Sequence, residues 1–184
     1  EIKKNNLSTF KKKFNNHNYE DPIIKNMWSL IKEHEISTKI INDLFDGIEY
    51  DLKSRVQLNT KKDLLIYSYR VAGTVGLMMA RVLGVKDDKL LPFAIDMGIG
   101  MQLTNICRDV KEDHENGRKY LPGVPDRDAV QHYLTLAEAY YASAEAGLPA
   151  IPWRSRAAIA VAAAAYRQIG RRLLRTGGDP WVGR

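Results

Sequence analysis

The sequence predicts an all-α domain, on three observations. Apolar residues recur with helical period through most of the chain. No segment alternates apolar and polar residues for long enough to argue a strand. Several periodic segments open on capping residues, and the last four close on glycine. Taken in order, residues 1–20 read as a polar tail: Lys11, Lys12 and Lys13 form a basic run, and His17 lies among asparagines. Such a run is a solvated tail in the first reading and an anionic-membrane contact in the second. "DPIIKNMWSLIKEHE" opens with Asp21 and Pro22, suited to N-cap and N1 positions. "STKIINDLFDGIEYDLKS" starts at Ser37 and repeats Ile40, Ile41, Leu44, Phe45, Ile48 and Leu52. "KKDLLIYSYRVAGTVGLMMARVLG" runs to Gly84, which fits the left-handed position after a helix. "DDKLLPFAIDMGIGMQLTNICRDVKEDHENG" runs to Gly117, "DRDAVQHYLTLAEAYYASAEAG" to Gly147, and "PWRSRAAIAVAAAAYRQIGRRLLRTGG" to Gly177 and Gly178. No fixed-period repeat is visible.

Composition narrows the class. With 184 residues, 45% apolar and 27% charged, the chain is expected to form one globular domain with a real core. Cys107 is the single cysteine, so no internal disulfide forms and a reducing, cytoplasmic setting is expected. No run of 18 apolar residues occurs; "VAGTVGLMMARVLGV" is interrupted by Arg81, and no transmembrane helix or signal peptide is expected. The net charge of +6 allows anionic partners. Nucleic acid is disfavoured, because the lysines are dispersed among acids and no recognition module is present. The composition changes near residue 122. Residues 1–121 hold 15 Lys, 10 Asn and 3 Ala; residues 122–184 hold neither Lys nor Asn, and 14 Ala. A domain boundary or two joined pieces would both give that shift.

One segment carries chemistry. In "AIDMGIGMQLTNICRDVKEDHENGRKYLP", Ala94, Gly98, Gln102, Asn105, Asp109 and Asp113 share a stripe, and on an α-helix Gln102 through Asp113 stay within roughly 80° of one another. A DxxxD spacing alone is more often a solvated face. Gln102 and Asn105 on the same stripe of an otherwise apolar helix argue against that, since uncompensated polar groups are costly there. Neighbouring carboxylates on an inward stripe repel unless a cation lies between them. Mg²⁺, or Mn²⁺ in its place, takes oxygen ligands and shares its shell with substrate phosphates. Arg108 and Arg118 suit the remaining phosphate oxygens through bidentate guanidinium contacts. Ala94 and Gly98 leave room for a bulky apolar body. Gly73 and Gly76 in "YSYRVAGTVG" serve either close helix packing or a ligand, at about 1 kcal/mol each against alanine.

"YRVAGTVGLMMARVLGV" followed by "AIDMGIGMQLTNICRDVKEDHENGRKYLP" closely resembles the squalene/phytoene synthase family, in its bacterial phytoene synthase form. The late "LAEAYYASAEAGLPAIPWRSRAAIAVAAAAYRQIG" resembles that family's final helices, and the resemblance runs from about Asp21 to Arg175. It implies an all-α isoprenoid synthase fold with helices around a central cavity. It implies a prenyltransferase that joins two prenyl diphosphates head to head through a cyclopropylcarbinyl diphosphate, in carotenoid or related isoprenoid biosynthesis. The metal positions of the family fall on Asn105, Asp109 and Asp113. Its diphosphate contacts fall on Gln102, Arg108, Arg118 and Tyr120. Its cavity lining falls on Tyr67, Val71, Val75, Gly76, Ala94 and Gly98, and a site-facing tyrosine falls on Tyr166. The implied catalytic set is Asp109, Asp113, Tyr67 and Tyr166. Phytoene formation ends in proton loss, so no nicotinamide is expected.

Two departures from the family pattern set further expectations. The family's first aspartate-rich motif, DDxxD, is absent from these residues; Asp43, Asp46 and Asp51 have the wrong spacing for it. The connection after Pro122 is shorter than in relatives. The chain, which starts at Glu1 without an initiator Met, is therefore expected to be a partial domain, inactive alone, with helix faces left uncovered and a tendency to self-associate. A non-catalytic family member acting as an assembly protein, and a squalene or dehydrosqualene synthase using farnesyl diphosphate, are the alternatives. Cys107 is expected to be structural, and His34, His114 and His132 to be surface groups. Trp153 and Trp181 are expected to pack at the C-terminal edge.

Overall fold

The structure is a computed structural model and describes residues 2–181. Its element order is α1 (Ile2–Asn15), α2 (Pro22–Glu33), α3 (Thr38–Asp51), β1 (Val56–Gln57), α4 (Lys61–Ser68), a π-helical turn (Tyr69–Gly73), α5 (Thr74–Val82), a 3-10 turn (Asp88–Leu90), α6 (Leu91–Arg108), α7 (Val110–Glu115), β2 (Arg118–Lys119), α8 (Arg127–Glu145), a 3-10 turn (Leu148–Ala150) and α9 (Trp153–Arg175). The all-α expectation holds. The small exception is β1 pairing in parallel with β2, Val56 opposite Arg118 and Gln57 opposite Lys119. Two residues are too few for period two to be read in a sequence.

The caps fall where the sequence places them. The Asp21 carboxylate accepts from the Ile23 amide at 3.1 Å and the Ser37 hydroxyl accepts from Lys39 at 3.3 Å. Thr60 and Asp63 cap each other's backbone at the start of α4, at 3.1 and 3.0 Å. Gly84 and Gly117 end their segments with φ of +88° and +71°, a region that side chains with a Cβ disfavour.

The amino-terminal reading is corrected: residues 2–15 are a helix, not a tail. Leu7, Phe10 and Phe14 lie three and four residues apart, so one face is apolar, while Lys12 and Lys13 stay exposed. Phe14 is fully buried, stacked on Trp28 with ring centroids 5.1 Å apart and edge-on to Phe45 at 5.5 Å. The chain then turns at His17, whose φ is +54° and whose ring stacks on Trp28 at 4.1 Å. Lys11 is no solvated tail residue; it binds Asp46 at 2.7 Å.

The larger core is built around α6. Its buried Ile99, Leu103, Ile106 and Cys107 pack with Val130, Tyr133, Leu134, Ala137 and Tyr141 of α8. The buried Thr104 hydroxyl donates to the Gly100 carbonyl at 2.9 Å and meets the Tyr141 hydroxyl at 3.0 Å, so a polar pair inside the core is satisfied. Burial pushes the Cys107 thiol up to about 12, as fits a structural cysteine. Asp88–Arg108 is the segment among the described residues long and apolar enough to cross a membrane, and it serves here as the helix around which this core packs. Outside the core, α5 exposes Val75, Met79 and Val82.

The decisive packing lies between the π turn with α5 and α6. A Cβ at Gly76 would lie 2.1 Å from the Ala94 carbonyl oxygen, and one at Gly98 would lie 2.4 Å from the Ala72 carbonyl oxygen. The open question of these glycines is thereby answered for the crossing: the backbones touch. Gly76→Ala should separate the helices because no backbone atom can yield cheaply. Against a helix-propensity gain of about 1 kcal/mol, overpacking of about 2–3 kcal/mol or more gives a net loss, measurable as a lowered urea midpoint at unchanged slope. A midpoint equal to the parent's would contradict the crossing.

Candidate active site

The acid stripe survives, with a change. The helix that the sequence runs from residue 87 to 117 breaks at Asp109, where φ is −101° and ψ is 12°. Hydrogen bonds still pass the break, from the Asp109 amide to the Asn105 carbonyl at 2.9 Å and from the Asp113 amide to the Asp109 carbonyl at 2.8 Å. The i, i+4 order of Asn105, Asp109 and Asp113 is therefore kept while the axis bends. Arg108 clamps the Asp109 carboxylate with two bonds, Nε at 2.8 Å and Nη2 at 2.6 Å, so this guanidinium is engaged with an acid of the site. Asp113 has no such clamp. Burial first, and the Asp109 charge second, push its carboxyl up to about 6, while Arg118 opposes the shift.

The predicted residues sort into two compartments. Val71, Val75, Gly76, Ala94, Gly98 and Tyr166 line an apolar cavity of about 360 Å³ between α5, α6 and α9. Tyr67, Arg108, Asp109, Asp113, Arg118 and Tyr120 line a polar pocket of about 250 Å³. Gln102 and Asn105 line both. The stripe thus runs from an apolar chamber into an acidic and basic one, with two amides at the junction.

The polar pocket contains one residue that sequence reasoning set aside. Asp51, the last residue of α3, accepts hydrogen bonds from Tyr67 at 3.0 Å and from Tyr120 at 2.7 Å. The signal for it was weak, because only the β1–β2 pairing brings residue 120 to residue 51. Both phenols are pushed above their ordinary value, by burial first and Asp51 in addition.

A divalent cation suits these residues on one observation. The Asn105 Oδ1 is buried and accepts no hydrogen bond, an acceptor in want of a partner beside two carboxylates. The donor set is sparse: no group of three or more His, Cys, Asp or Glu at metal-holding distance occurs among the described residues. Oxygen-only donors that leave positions for water and phosphate are what Mg²⁺ accepts.

The profile of the squalene/phytoene synthase family matches residues 1–124 and 125–184. The chain belongs to the squalene/phytoene synthase family. The match extends past the Asp21–Arg175 stretch in which the resemblance is legible by eye, taking in α1, and its two parts meet beside the composition change near 122. A 15-cis-phytoene synthase of a Paracoccus species is 40% identical over 169 residues, which are 83% of this chain and 55% of that protein. The chain thus spans little more than half the length of that relative. A dehydrosqualene synthase solved in complex with a ligand superposes with a TM-score of 0.80 at 26% identity, over 96% of this chain and 70% of that one. The squalene synthase HpnC of Alicyclobacillus acidocaldarius superposes with a TM-score of 0.84 at 16% identity, over 95% of this chain and 74% of that one. The isoprenoid synthase fold is therefore shared.

The raised Asp113 carboxyl has a consequence for stability. Between the ordinary carboxylate range and about 6, the folded chain holds a proton that the unfolded chain has lost, so stability falls as pH rises through that window. Discounted for the solvent that reaches this half-buried group, the effect is on the order of 1 kcal/mol. Asp113→Asn should flatten the metal-free stability profile between pH 4 and 6. A profile that keeps the parent's slope in urea denaturation would place the charge elsewhere.

Proposed function

We propose that this chain carries the second half of a head-to-head prenyltransferase site, one that joins two prenyl diphosphates and, by preference, two geranylgeranyl diphosphates to phytoene. The observation that carries the reading is the junction at Gln102 and Asn105, where an apolar cavity opens into a pocket of acids and guanidinium groups. A molecule with a long apolar body and a diphosphate head has the matching division. The phytoene synthase relative at 40% identity supports the C20 preference over the squalene-type alternatives.

Asn105, Asp109 and Asp113 would hold Mg²⁺, and the bound ion would neutralise charge on a departing diphosphate. Among the described residues Arg118 forms no ion pair, so its guanidinium is available to diphosphate oxygens. Gln102 at the junction orients the head against the chain. Val71, Val75 and Met97 form apolar cavity wall, along which the prenyl chain would lie. Tyr166 closes that wall near Arg108, with an aromatic face that tolerates positive charge. Phytoene formation ends in proton loss and not in hydride delivery, so we propose that the reaction needs no nicotinamide.

Two measurements test the reading. A preparation completed with the remainder of the family domain, given geranylgeranyl diphosphate and Mg²⁺ without NADPH, should form phytoene; product only from farnesyl diphosphate with NADPH would overturn the C20 preference. In the chain itself, Asp109→Ala should weaken Mg²⁺-dependent binding of a non-ionising prenyl thiodiphosphate by about tenfold or more, the loss of roughly one charge-assisted contact. Unchanged metal-dependent binding would remove Asp109 from the site, and binding of no prenyl ligand at all would favour the assembly-protein alternative.

A further inference from the structure

We propose that Asp51 is a positioning residue of the polar pocket: its carboxylate holds the Tyr67 and Tyr120 phenols together and thereby fixes the strand that carries Arg118. The geometry is specific. Both Asp51 oxygens accept from the Tyr67 hydroxyl at 3.0 Å, and Oδ1 also accepts from Tyr120 at 2.7 Å. The two rings stack with centroids 4.9 Å apart and planes 24° apart. Asp51 and Tyr67 come from α3 and α4, and Tyr120 follows β2 directly, so one carboxylate joins three parts of the chain that line the pocket.

Other acids of α3 behave differently. Asp43 pairs with Lys39 at 2.7 Å, and Asp46 pairs with Lys11 at 2.7 Å. Among the described residues Asp51 has no cationic partner; two phenol donors are what stabilise its charge. A half-buried carboxylate without a cation is costly unless its lone pairs are filled, and hydrogen bonds to a charged acceptor are about twice as strong as neutral ones. The same bonds act on the tyrosines. Tyr120 lies two residues beyond Arg118, and β2 is held otherwise by a two-residue pairing with β1 and a bond from the Leu58 amide to Lys119 at 2.9 Å. So short a ladder does not fix a strand, whereas the Tyr120 anchor, buried at 6% exposure, does. Arg118 is exposed and, among the described residues, forms no ion pair, so its place beside Asp113 depends on that anchor.

The proposal predicts an effect opposite to simple electrostatics. Deleting a negative charge beside an anion site should by itself strengthen anion binding. Deleting the anchor of Arg118 should weaken it. The full chain, Asp51→Ala and Asp51→Asn would be titrated with inorganic pyrophosphate and Mg²⁺ by calorimetry, and their near-ultraviolet circular dichroism recorded for the stacked tyrosines. Asp51→Ala should lose the tyrosine signal and weaken binding by about tenfold, the scale of one charge-assisted bond. Asp51→Asn, which keeps a carbonyl acceptor, should restore most of both. Asp51→Ala binding pyrophosphate as tightly as the parent or more tightly, or an unchanged tyrosine signal, would overturn the proposal. Should Asp51→Ala fail to fold, Tyr67→Phe and Tyr120→Phe each remove one hydroxyl and keep the ring; Tyr120→Phe should show the larger loss of binding, and parent-like affinity in both would overturn the proposal. The inference rests on the diphosphate reading only for the binding arm. If the parent binds no pyrophosphate, that reading fails, while the tyrosine signal still decides whether Asp51 holds the pair.

Discussion

The contact of α5 with α6 at Gly76 and Gly98 sets the geometry on which the rest depends. There the backbones meet without intervening side chains, each glycine facing a carbonyl of the opposite segment. Two glycines give up helix propensity for this approach, and it fixes the helices more tightly than interdigitated side chains would. On its other side α6 is held by α8, where a Cβ added at Gly100 would lie 3.2 Å from the Tyr141 ring. A helix pinned from both sides cannot rotate, so the stripe from Ala94 to Asp113 faces one direction along its length. The apolar cavity and the polar pocket are two stations on that stripe.

At the polar station three carboxylates line one pocket, and two of them are compensated, each differently. Asp109 is clamped by Arg108. Asp51 is filled by two phenols. Asp113 has neither, and the cost appears as a carboxyl pushed up to about 6. Beside it, the Asn105 oxygen accepts nothing. A carboxyl raised by burial and an amide oxygen without a donor thus stand at the two ends of the Asn105–Asp113 stretch, groups for which a cation would be a common remedy.

Much of this was legible in the sequence, and the reasons for the rest are physical. The helix ends were readable because caps and glycines act locally, as Asp21, Ser37 and Gly84 do. The site stripe was readable because helical period alone places Gln102, Asn105, Asp109 and Asp113 together. The bend at Asp109 was not, since nothing in the local residue types forbids a continuous helix there. The π turn at Tyr69–Gly73 was likewise hidden inside a run of good helical period. The first helix was lost to a dense lysine pattern, although Leu7, Phe10 and Phe14 had the spacing of a buried face. Asp51 was out of reach for a different reason: its partners are 16 and 69 residues away, and no spacing rule reports such a meeting.

The two walls of the apolar cavity are held by different forces. The α5–α6 wall rests on backbone contact and is indifferent to salt. The α9 wall rests on a ladder to α8: Arg167 binds Glu138 at 2.8 Å and also reaches Glu145, and Arg171 binds Glu138 at 3.0 Å. These pairs are partly exposed, and such pairs contribute little individually and weaken as ionic strength rises. A Cβ added at Gly170 would lie 3.2 Å from a Leu134 methyl, so the helix sits close to α8 there, against a side chain instead of backbone. Tyr166, one residue from Arg167, therefore stands on the more yielding wall, while Val71, Val75 and Gly76 stand on the fixed one. A cavity built this way keeps its polar junction in place, since Gln102 and Asn105 belong to the pinned helix, while the α9 side is the one that ionic strength loosens.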